Sequence, residues 1–408
     1  MRTKSVSSWA ALNFSSEKYR PAGDKVRGEI RVKEELRFLQ VDKGRRLYFL
    51  DNLKWFIIWL MVVFHAAMCY MAYAPEWWYV VDKADPSFGA TAFVCWADVF
   101  IMPTMFFVSG YFGLRSLAHY DLGSFWRGKL RRIIGPWLFG AACIAPLVTY
   151  ITLASRNSPM GFYEFYTTLF WGVFYQQAQY WYLGALTALY VLLMAACQAL
   201  PSLKERREAG VPGIAFFLGL FAVCAISIGL VSSYMHPDTW KYFAYILVLQ
   251  PVRIVSYIAV FFAGAWAWKK RWFEAGGYCP SAGRWGLPFL LTGGIYLWQK
   301  LFLAAYGLEA WQLVWVGAVM QAAFTCTALF FLLGLFRQCF DSTNGILSEL
   351  SSTSYAVYYL HMPVLFPAAW AFVGIGMGVG MKYLSVCVLT LGLCFLLGKY
   401  VLKRLPSF

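Results

Sequence analysis

The chain has 408 residues, of which 60% are hydrophobic and only 13% are charged, and its mean hydropathy is +0.56. Soluble domains average about 25% charged residues, so this composition excludes an ordinary soluble enzyme. The net charge of +15 resembles that of nucleic-acid-binding proteins, but the basic residues fall between apolar stretches, where membrane topology explains them better. The sequence therefore predicts an all-α polytopic membrane protein that binds no nucleic acid.

The composition divides the chain into three parts. Residues 1–50 are polar and rich in Lys and Arg, and they lack the short apolar core of a signal peptide, so we expect a basic cytoplasmic tail. Residues 51–402 hold recurring apolar stretches of about 20 residues and are expected to form one transmembrane domain. Residues 403–408 are then a short cytoplasmic C-terminus.

The apolar stretches predict a bundle of about ten transmembrane helices. They cover residues 53–73, 91–113, 133–153, 180–200, 213–233, 244–268, 285–304, 311–336, 352–372 and 382–401. Alternate loops carry most of the Lys and Arg residues, and the positive-inside rule places these loops and both termini in the cytoplasm. The opposite loops are rich in Trp and Tyr, which favours an aromatic belt at the membrane interface over a rim that stacks on glycans.

The cysteines suggest no metal site and no disulfide framework. All ten are scattered, most of them within apolar stretches, and no CxxC pair occurs. We interpret them as small core hydrophobes.

The first apolar stretch carries Asp51 and Lys54 at its start and His65 deep inside. On a helix Asp51 and Lys54 can form an ion pair, while Lys54 and His65 share one face with about 16 Å of helix rise between them. Ionisable groups at that depth are costly and are functional candidates by default. The alternative is a histidine that bonds across the bundle, with Lys54 extending to the interface.

Other apolar stretches also contain polar groups. The second contains Asp98 and ends near Ser109, which precedes a glycine and permits either close helix packing or a narrow passage. Arg253 is always charged and needs a partner such as Asp98 or a substrate anion, between which the sequence does not choose. His361 lies two residues before Pro363, and proline kinks helices where they line cavities.

The second loop concentrates positive charge at Arg127, Lys129, Arg131 and Arg132. These residues either anchor the loop in the cytoplasm or bind a polyanion, since Lys and Arg supply point charges and bidentate forks for phosphates. No GxSxG, Walker A or HExxH motif is present. Because a neutral imidazole is a common general base near pH 7, the combination suggests group transfer from an anionic cytoplasmic donor to a hydroxyl.

Five sequence motifs occur in a characteristic order. They are D-x-L-K with F-H at 51–65, FFVSGYF at 106–112, KLRRIIGPW at 129–137, YWYLGALTALY at 180–190 and SYAVYYLHMPV at 354–364. In this order they resemble the membrane-bound acyltransferase type 3 family, multi-span enzymes that O-acylate carbohydrates and related acceptors.

The resemblance implies a mechanism. The donor is an acyl-coenzyme A, with acetyl- or succinyl-coenzyme A expected, and the acceptor is a glycan or a related hydroxyl-bearing molecule. The donor phosphates lie near the basic second loop, and its arm reaches into the bundle. His65 is the expected general base or a transient acyl acceptor, with Asp51 and Lys54 orienting the site or binding donor charge. The residues expected to bind the acceptor or to assist catalysis are His361, Arg253, Asp98 and Ser109.

The resemblance places the chain in a bacterial cytoplasmic membrane as a multi-pass protein in contact with lipid. The competing function is a transporter or glycan exporter, in which the same intramembrane charges relay protons or bind a carboxylate. No inverted repeat is visible in the sequence to support it. In a third alternative, a sensor or scaffold domain, the buried histidines are structural and tolerate Asn or Gln.

Overall fold

The computed structural model describes residues 46–74 and 78–402. The predicted basic tail, apart from its last residues, and the predicted C-terminus lie outside the described residues. Within them, ten long helices form one bundle: α1 Tyr48–Met68, α2 Phe88–His119, α3 Leu122–Ala154, α4 Ala178–Ala199, α5 Ile214–Ser232, α6 Pro251–Lys269, α7 Ala282–Phe302, α8 Ala310–Cys339, α9 Gly345–Phe372 and α10 Val379–Tyr400. All of them but α9 are long and apolar enough to cross a membrane. The polytopic all-α prediction is confirmed.

Helix α9 is the most polar of the predicted spans because it begins with Ser, Thr and Glu residues and carries tyrosines and a histidine further on. It is 28 residues long and packs against α1 and α10. Its polar groups are thus directed at other helices, and they include the site described below.

Helix boundaries differ from the prediction by five residues or more in α1, α2, α3, α6 and α9, and α3 begins 11 residues early because it includes the basic second loop. Helix α1 begins and ends about five residues earlier than predicted, and residues 69–74 and 78–87 after it lie outside the helices. The predicted sixth span begins too early, because Lys241–Phe243 (β1) and Leu247–Leu249 (β2) form an antiparallel hairpin before α6. Proline at the start of α6 explains the boundary, since its fixed φ and missing N–H suit the first helical turn.

Helices α2 and α6 make the closest crossing of the bundle. A Cβ atom on Gly110 would stand 1.9 Å from the carbonyl oxygen of Phe261, and one on Gly264 would stand 2.0 Å from the carbonyl oxygen of Phe107. Only glycine permits this backbone approach. The crossing fixes the relative position of α2 and α6, and therefore of the charges that they carry.

Helix α3 contains two π-helical segments, Leu130–Ile134 and Gly140–Ile144. Such wide turns interrupt the regular hydrogen-bond ladder of a helix. Two tyrosines of α9 donate to backbone oxygens in this region: the Tyr355 hydroxyl to Arg132 at 2.8 Å and the Tyr359 hydroxyl to Pro136 at 2.9 Å. Helix α9 is thereby tied to the basic stretch of α3.

Candidate active site

The bundle has two chemically different ends. We call the end that carries Lys54, Arg127, Arg131, Arg132 and Arg337 the basic face. Helix α1 starts there, and the Arg337 guanidinium lies 5.4 Å from the ring centre of Phe49. The opposite end, where α1 finishes and α2 begins, we call the cavity face. Its loops include Tyr73 and Asp238.

A cavity of about 570 Å³ occupies the cavity face. It is lined by residues of α1, α2 and α4 to α9 and of the loops between them. Tyr73 and Asp238, which line it, are themselves exposed, so the cavity opens at this end of the bundle. Its size is in the usual range for a ligand-binding pocket, roughly 300–1,000 Å³.

Two histidines meet at the cavity wall. Nδ1 of His65 lies 2.9 Å from Nε2 of His361, and the two rings are parallel within 2°. His65 lines the cavity, whereas His361 is completely buried behind it. The sequence identified both residues, and the structure brings them together although they are 296 positions apart.

The hydrogen bonds of His361 define the protonation pattern of the neutral pair. Its Nδ1 lies 2.7 Å from the carbonyl oxygen of Tyr358, which can only accept, so Nδ1 carries the proton. Nε2 of His361 is then the acceptor, and Nδ1–H of His65 must donate to it. His65 is left with a lone pair on Nε2. A ring with this tautomer can take a proton from a group in the cavity.

Proline 363 anchors the histidine-bearing part of α9. Because Pro363 has no N–H, the carbonyl of Tyr359 lacks its helical partner. Two donors from the start of α4 replace it: the Gln179 amide at 3.0 Å and the Tyr180 hydroxyl at 2.8 Å. The Tyr358 hydroxyl donates in return to the carbonyl of Gln179 at 2.7 Å. These bonds hold α9 and the start of α4 together beside the cavity.

The loop after α1 covers the histidine pair. The ring of Tyr79 lies 5.9 Å from that of His65. The loop folds back to the end of α1, since the backbone N–H of Asp82 donates to the carbonyl of Cys69, the residue after α1, at 3.0 Å. It is held to α10 by Lys382, whose buried ammonium lies 2.8 Å from an Asp82 carboxylate oxygen and also pairs with Asp85. We call Lys382, Asp82 and Asp85 the sealed cluster.

The sealed cluster was not predicted, because Lys382 is the first residue of the last predicted span, 382–401, where a lysine usually extends to the interface. The lysine instead lies in the first turn of α10, and its side chain is only 1% exposed. One signal was available, namely a lysine at the edge of an apolar stretch together with two aspartates in the loop between the first two spans.

Arg253 pairs with Asp98 across the α2–α6 crossing, and its guanidinium also lies 4.0 Å from an Asp238 carboxylate oxygen. Of the two partners that the sequence left open, Asp98 is therefore the one in this structure. All three residues line the cavity. We call Arg253, Asp98 and Asp238 the open cluster.

The open cluster lies at nearly the same depth as His65. The Lys54 ammonium lies 5.1 Å from the ring centre of Phe112, which aligns α1 with α2 at that level. Toward the cavity face, His65 follows Lys54 by 11 residues of α1, a helix rise of about 16 Å. Asp98 precedes Phe112 by 14 residues of α2, a rise of about 21 Å.

Asp51, Lys54 and Ser109 do not line the cavity. Asp51 and Lys54 form an ion pair of 2.8 Å near the basic face, as the spacing predicts. Ser109 exchanges a hydrogen bond of 2.8 Å with the hydroxyl of Tyr182, which does line the cavity. Ser109 therefore reaches the cavity only through Tyr182.

The basic second loop is the first part of α3. Arg127, Arg131 and Arg132 are exposed at the basic face. The Lys129 ammonium instead lies 4.0 Å from the ring centre of Tyr190, a cation–π contact that competes with an external anion. The structure thus separates the three arginines from Lys129.

A narrow void continues the cavity toward the basic face. It measures about 10 Å³ and shares Met61, Met102, Tyr182 and Tyr358 with the cavity lining. Its remaining lining residues are Ile57, Ile58 and Met105. Flexible methionine side chains thus narrow the interior between the histidine pair and the basic face.

Among the described residues no group of three or more His, Cys, Asp or Glu side chains is arranged to hold a metal ion.

Comparisons with known proteins agree with the motif order. The family model described as an acyltransferase domain, that of the acyltransferase 3 family, matches residues 47–399. "Glucans biosynthesis protein C" of Salmonella gallinarum is 27% identical over 165 residues, 39% of this chain and 41% of that protein. Proteins of the same name from Salmonella paratyphi B and Salmonella heidelberg are 30% identical over 131 residues, 31% of this chain and 33% of theirs. The matched segments span less than half of these relatives. No solved structure matches the chain.

Proposed function

The chain belongs to the acyltransferase 3 family, whose domain covers residues 47–399, and on this premise we propose that it moves an acyl group from acyl-coenzyme A to a carbohydrate hydroxyl. The protein is a membrane acyltransferase. The observation that carries the finer proposal is the histidine pair on the wall of an open cavity. The name of the Salmonella relatives refers to glucans, which supports a carbohydrate acceptor.

His65 is the general base of the proposed reaction. Its Nε2 takes the proton of the acceptor hydroxyl while the hydroxyl oxygen attacks the thioester carbon. The C–S bond then breaks, the thiolate of coenzyme A leaves, and the proton on His65 passes to that sulfur. The products are an ester and free coenzyme A.

His361 is a positioning residue. It is fully buried and does not line the cavity, so it acts through His65. By accepting from Nδ1–H of His65 it keeps the lone pair on Nε2, and it stabilises the positive charge that His65 acquires.

The donor is proposed to bind from the basic face. Arg127, Arg131 and Arg132 are exposed there and offer guanidinium groups to the phosphates of coenzyme A. The narrow void lies between this side and the cavity, and the extended arm of the donor would enter through it once the methionine side chains move. Acetyl and succinyl groups are the expected cargo. Asp51 and Lys54 lie beside this route and orient the donor.

The test uses purified wild-type protein and His65→Ala with radiolabelled acetyl- and succinyl-coenzyme A and a glucan acceptor. We expect release of coenzyme A and labelling of the glucan with the wild type, and a loss of roughly 100- to 10,000-fold in His65→Ala, the usual contribution of a general base. His119→Ala is the matched control, since His119 is an exposed histidine that does not line the cavity.

Normal turnover by folded His65→Ala would show that His65 is not the general base. If folded wild type neither binds nor cleaves any acyl-coenzyme A, the proposed donor is wrong, and the transporter alternative would be tested next by flux measurements. Label that remains on His65 itself would show that the histidine is transiently acylated.

A further inference from the structure

The cavity wall around the open cluster contains buried polar atoms that have no partner. They are Oε1 of Gln179, Oγ of Ser232, Nε of Arg253 and Oε1 of Gln299, and all four residues line the cavity. Gln179 is only 4% exposed. A buried polar atom without a hydrogen bond is unfavourable, and several in one cavity indicate a ligand that supplies the missing bonds.

The mixture of these atoms restricts the ligand. Nε of Arg253 can only donate a hydrogen bond, whereas the amide oxygens of Gln179 and Gln299 can only accept. A carboxylate or a fully ionised phosphate has no proton to give to the two amide oxygens. An ammonium group has no lone pair for Nε of Arg253. A hydroxyl both donates and accepts, so a molecule with several hydroxyl groups can satisfy all of them.

The charges of the wall exclude a strong preference for an anion. Arg253 is neutralised by Asp98 and faces Asp238 as well. Lys300 also lines this part of the cavity. The charges of the two cations and the two carboxylates sum to zero. The wall therefore has no net positive charge to attract an anionic ligand, and the two carboxylates would repel it.

Aromatic rings complete the wall. The Trp181 ring is stacked on Tyr257, with centres 6.1 Å apart, and the Trp240 ring lies 5.3 Å from that of Trp181. All three line the cavity. Their broad apolar faces suit the C–H faces of a sugar ring, while its hydroxyl groups reach the polar atoms.

We propose that this wall is the acceptor subsite and that it selects an uncharged sugar unit over an anionic one. The inference rests on the proposed function for its biological meaning, but sugar binding can be measured without catalysis. Because the open cluster lies at nearly the depth of His65, a sugar on this wall presents a hydroxyl toward the histidine pair.

The experiment measures binding to His65→Ala, so that no acceptor is consumed. The probes are a neutral glucose tetrasaccharide and the same tetrasaccharide with one glucose oxidised to glucuronate, titrated by calorimetry into full-length protein. We expect the neutral probe to bind at least tenfold more tightly. In His65→Ala with Asp98→Asn, Arg253 loses its main counter-charge, and the preference should shift at least tenfold toward the glucuronate probe.

A second variant tests the unpartnered atoms. Gln299→Leu should weaken the neutral probe about tenfold with no change in melting temperature, since Oε1 of Gln299 makes no bond within the protein. Gln338→Leu is the control, since Gln338 lies at the basic-face end of α8 and does not line the cavity, and it should leave sugar affinity unchanged.

Three results would overturn the inference: equal or tighter binding of the glucuronate probe, full affinity in Gln299→Leu, or no binding of either sugar. Failure of the proposed function looks different. If the protein binds sugars with the stated preference but wild type transfers no acyl group, the proposed reaction is wrong and the proposed subsite stands. If wild type transfers acyl groups but prefers anionic sugars, the proposed subsite is wrong and the proposed reaction stands.

Discussion

The sealed cluster and the open cluster have the same composition, one cation and two carboxylates, and both lie at the cavity face. In the sealed cluster the side chains of Lys382 and Asp82 are 1% and 2% exposed, and the ammonium bonds both aspartates. In the open cluster all three residues line the cavity, and Nε of Arg253 has no partner. One set of charges is closed upon itself, and the other is directed into a cavity.

This difference shows that the presence of charge in a membrane protein does not by itself identify a site. Both clusters qualify under the rule that intramembrane charges are functional candidates. What separates them is whether the polar atoms are satisfied within the protein. The sealed cluster fastens the loop that covers His65 to α10, whereas the open cluster has bonding capacity left for a ligand.

The largest effect is expected from breaking the sealed cluster. Lys382→Met leaves two carboxylates beside each other without a cation, and the loss of one partner of a buried ion pair costs about 3–5 kcal/mol. The melting temperature in detergent should fall sharply. A triple variant with Lys382→Met, Asp82→Asn and Asp85→Asn should regain most of this stability. If Lys382→Met melts like wild type, the cluster is not a structural fastener.

A smaller loss is expected from disturbing the crossing that supports the open cluster. Gly264→Ala places a methyl group against the Phe107 carbonyl, and over-packing costs about 1–3 kcal/mol. Because α2 and α6 must separate, the Asp98–Arg253 pair should also loosen. We expect a lower melting temperature together with weaker sugar binding. Gly294→Ala, where no atom lies within 4 Å of an added Cβ, is the control.

Removing the cation of the open cluster should affect function more than stability. Arg253→Gln leaves carboxylates that the cavity can hydrate, so we expect a smaller stability loss than in Lys382→Met. The apparent KM for the sugar acceptor should rise about tenfold, while the KM for the acyl donor stays the same. A stability loss as large as that of Lys382→Met would erase the contrast between the clusters.

The smallest effect is expected at the basic face. Lys129→Met removes a cation–π contact worth about 0.5–1 kcal/mol. Since the Lys129 ammonium lies over an aromatic ring, its loss should raise the KM for acyl-coenzyme A less than Arg131→Gln does. A larger rise for Lys129→Met than for Arg131→Gln would place the donor phosphates over α3 differently from our proposal.

Much of the fold follows from local sequence properties. Apolar stretches long enough to span a bilayer predict the ten helices and most of their ends within about three residues, because hydropathy is summed over neighbouring positions. The late start of α6 has a local cause that hydropathy does not detect. Pro251 begins the helix, and the strands before it are apolar enough to resemble part of a span.

The candidate site was only partly predictable. His65 and His361 stand out because a histidine in an apolar stretch is costly, and the family comparison confirms the acyltransferase resemblance. Lys54 and Asp51 also stand out, yet they pair with each other away from the cavity. Lys382 escaped notice because it lies at the end of an apolar stretch, where a lysine usually extends to the interface.

The sequence by itself determined the membrane class, the helices, the family and the depth of each polar residue along its own helix. Only the tertiary structure decided which of these residues meet: His65 with His361, Arg253 with Asp98, and Lys382 with Asp82. The physical reason is that depth depends on helix rise within one segment. Pairing depends on which helix faces turn toward each other. Those faces are determined by close contacts between segments far apart in the chain, such as the crossing of α2 and α6 at Gly110 and Gly264.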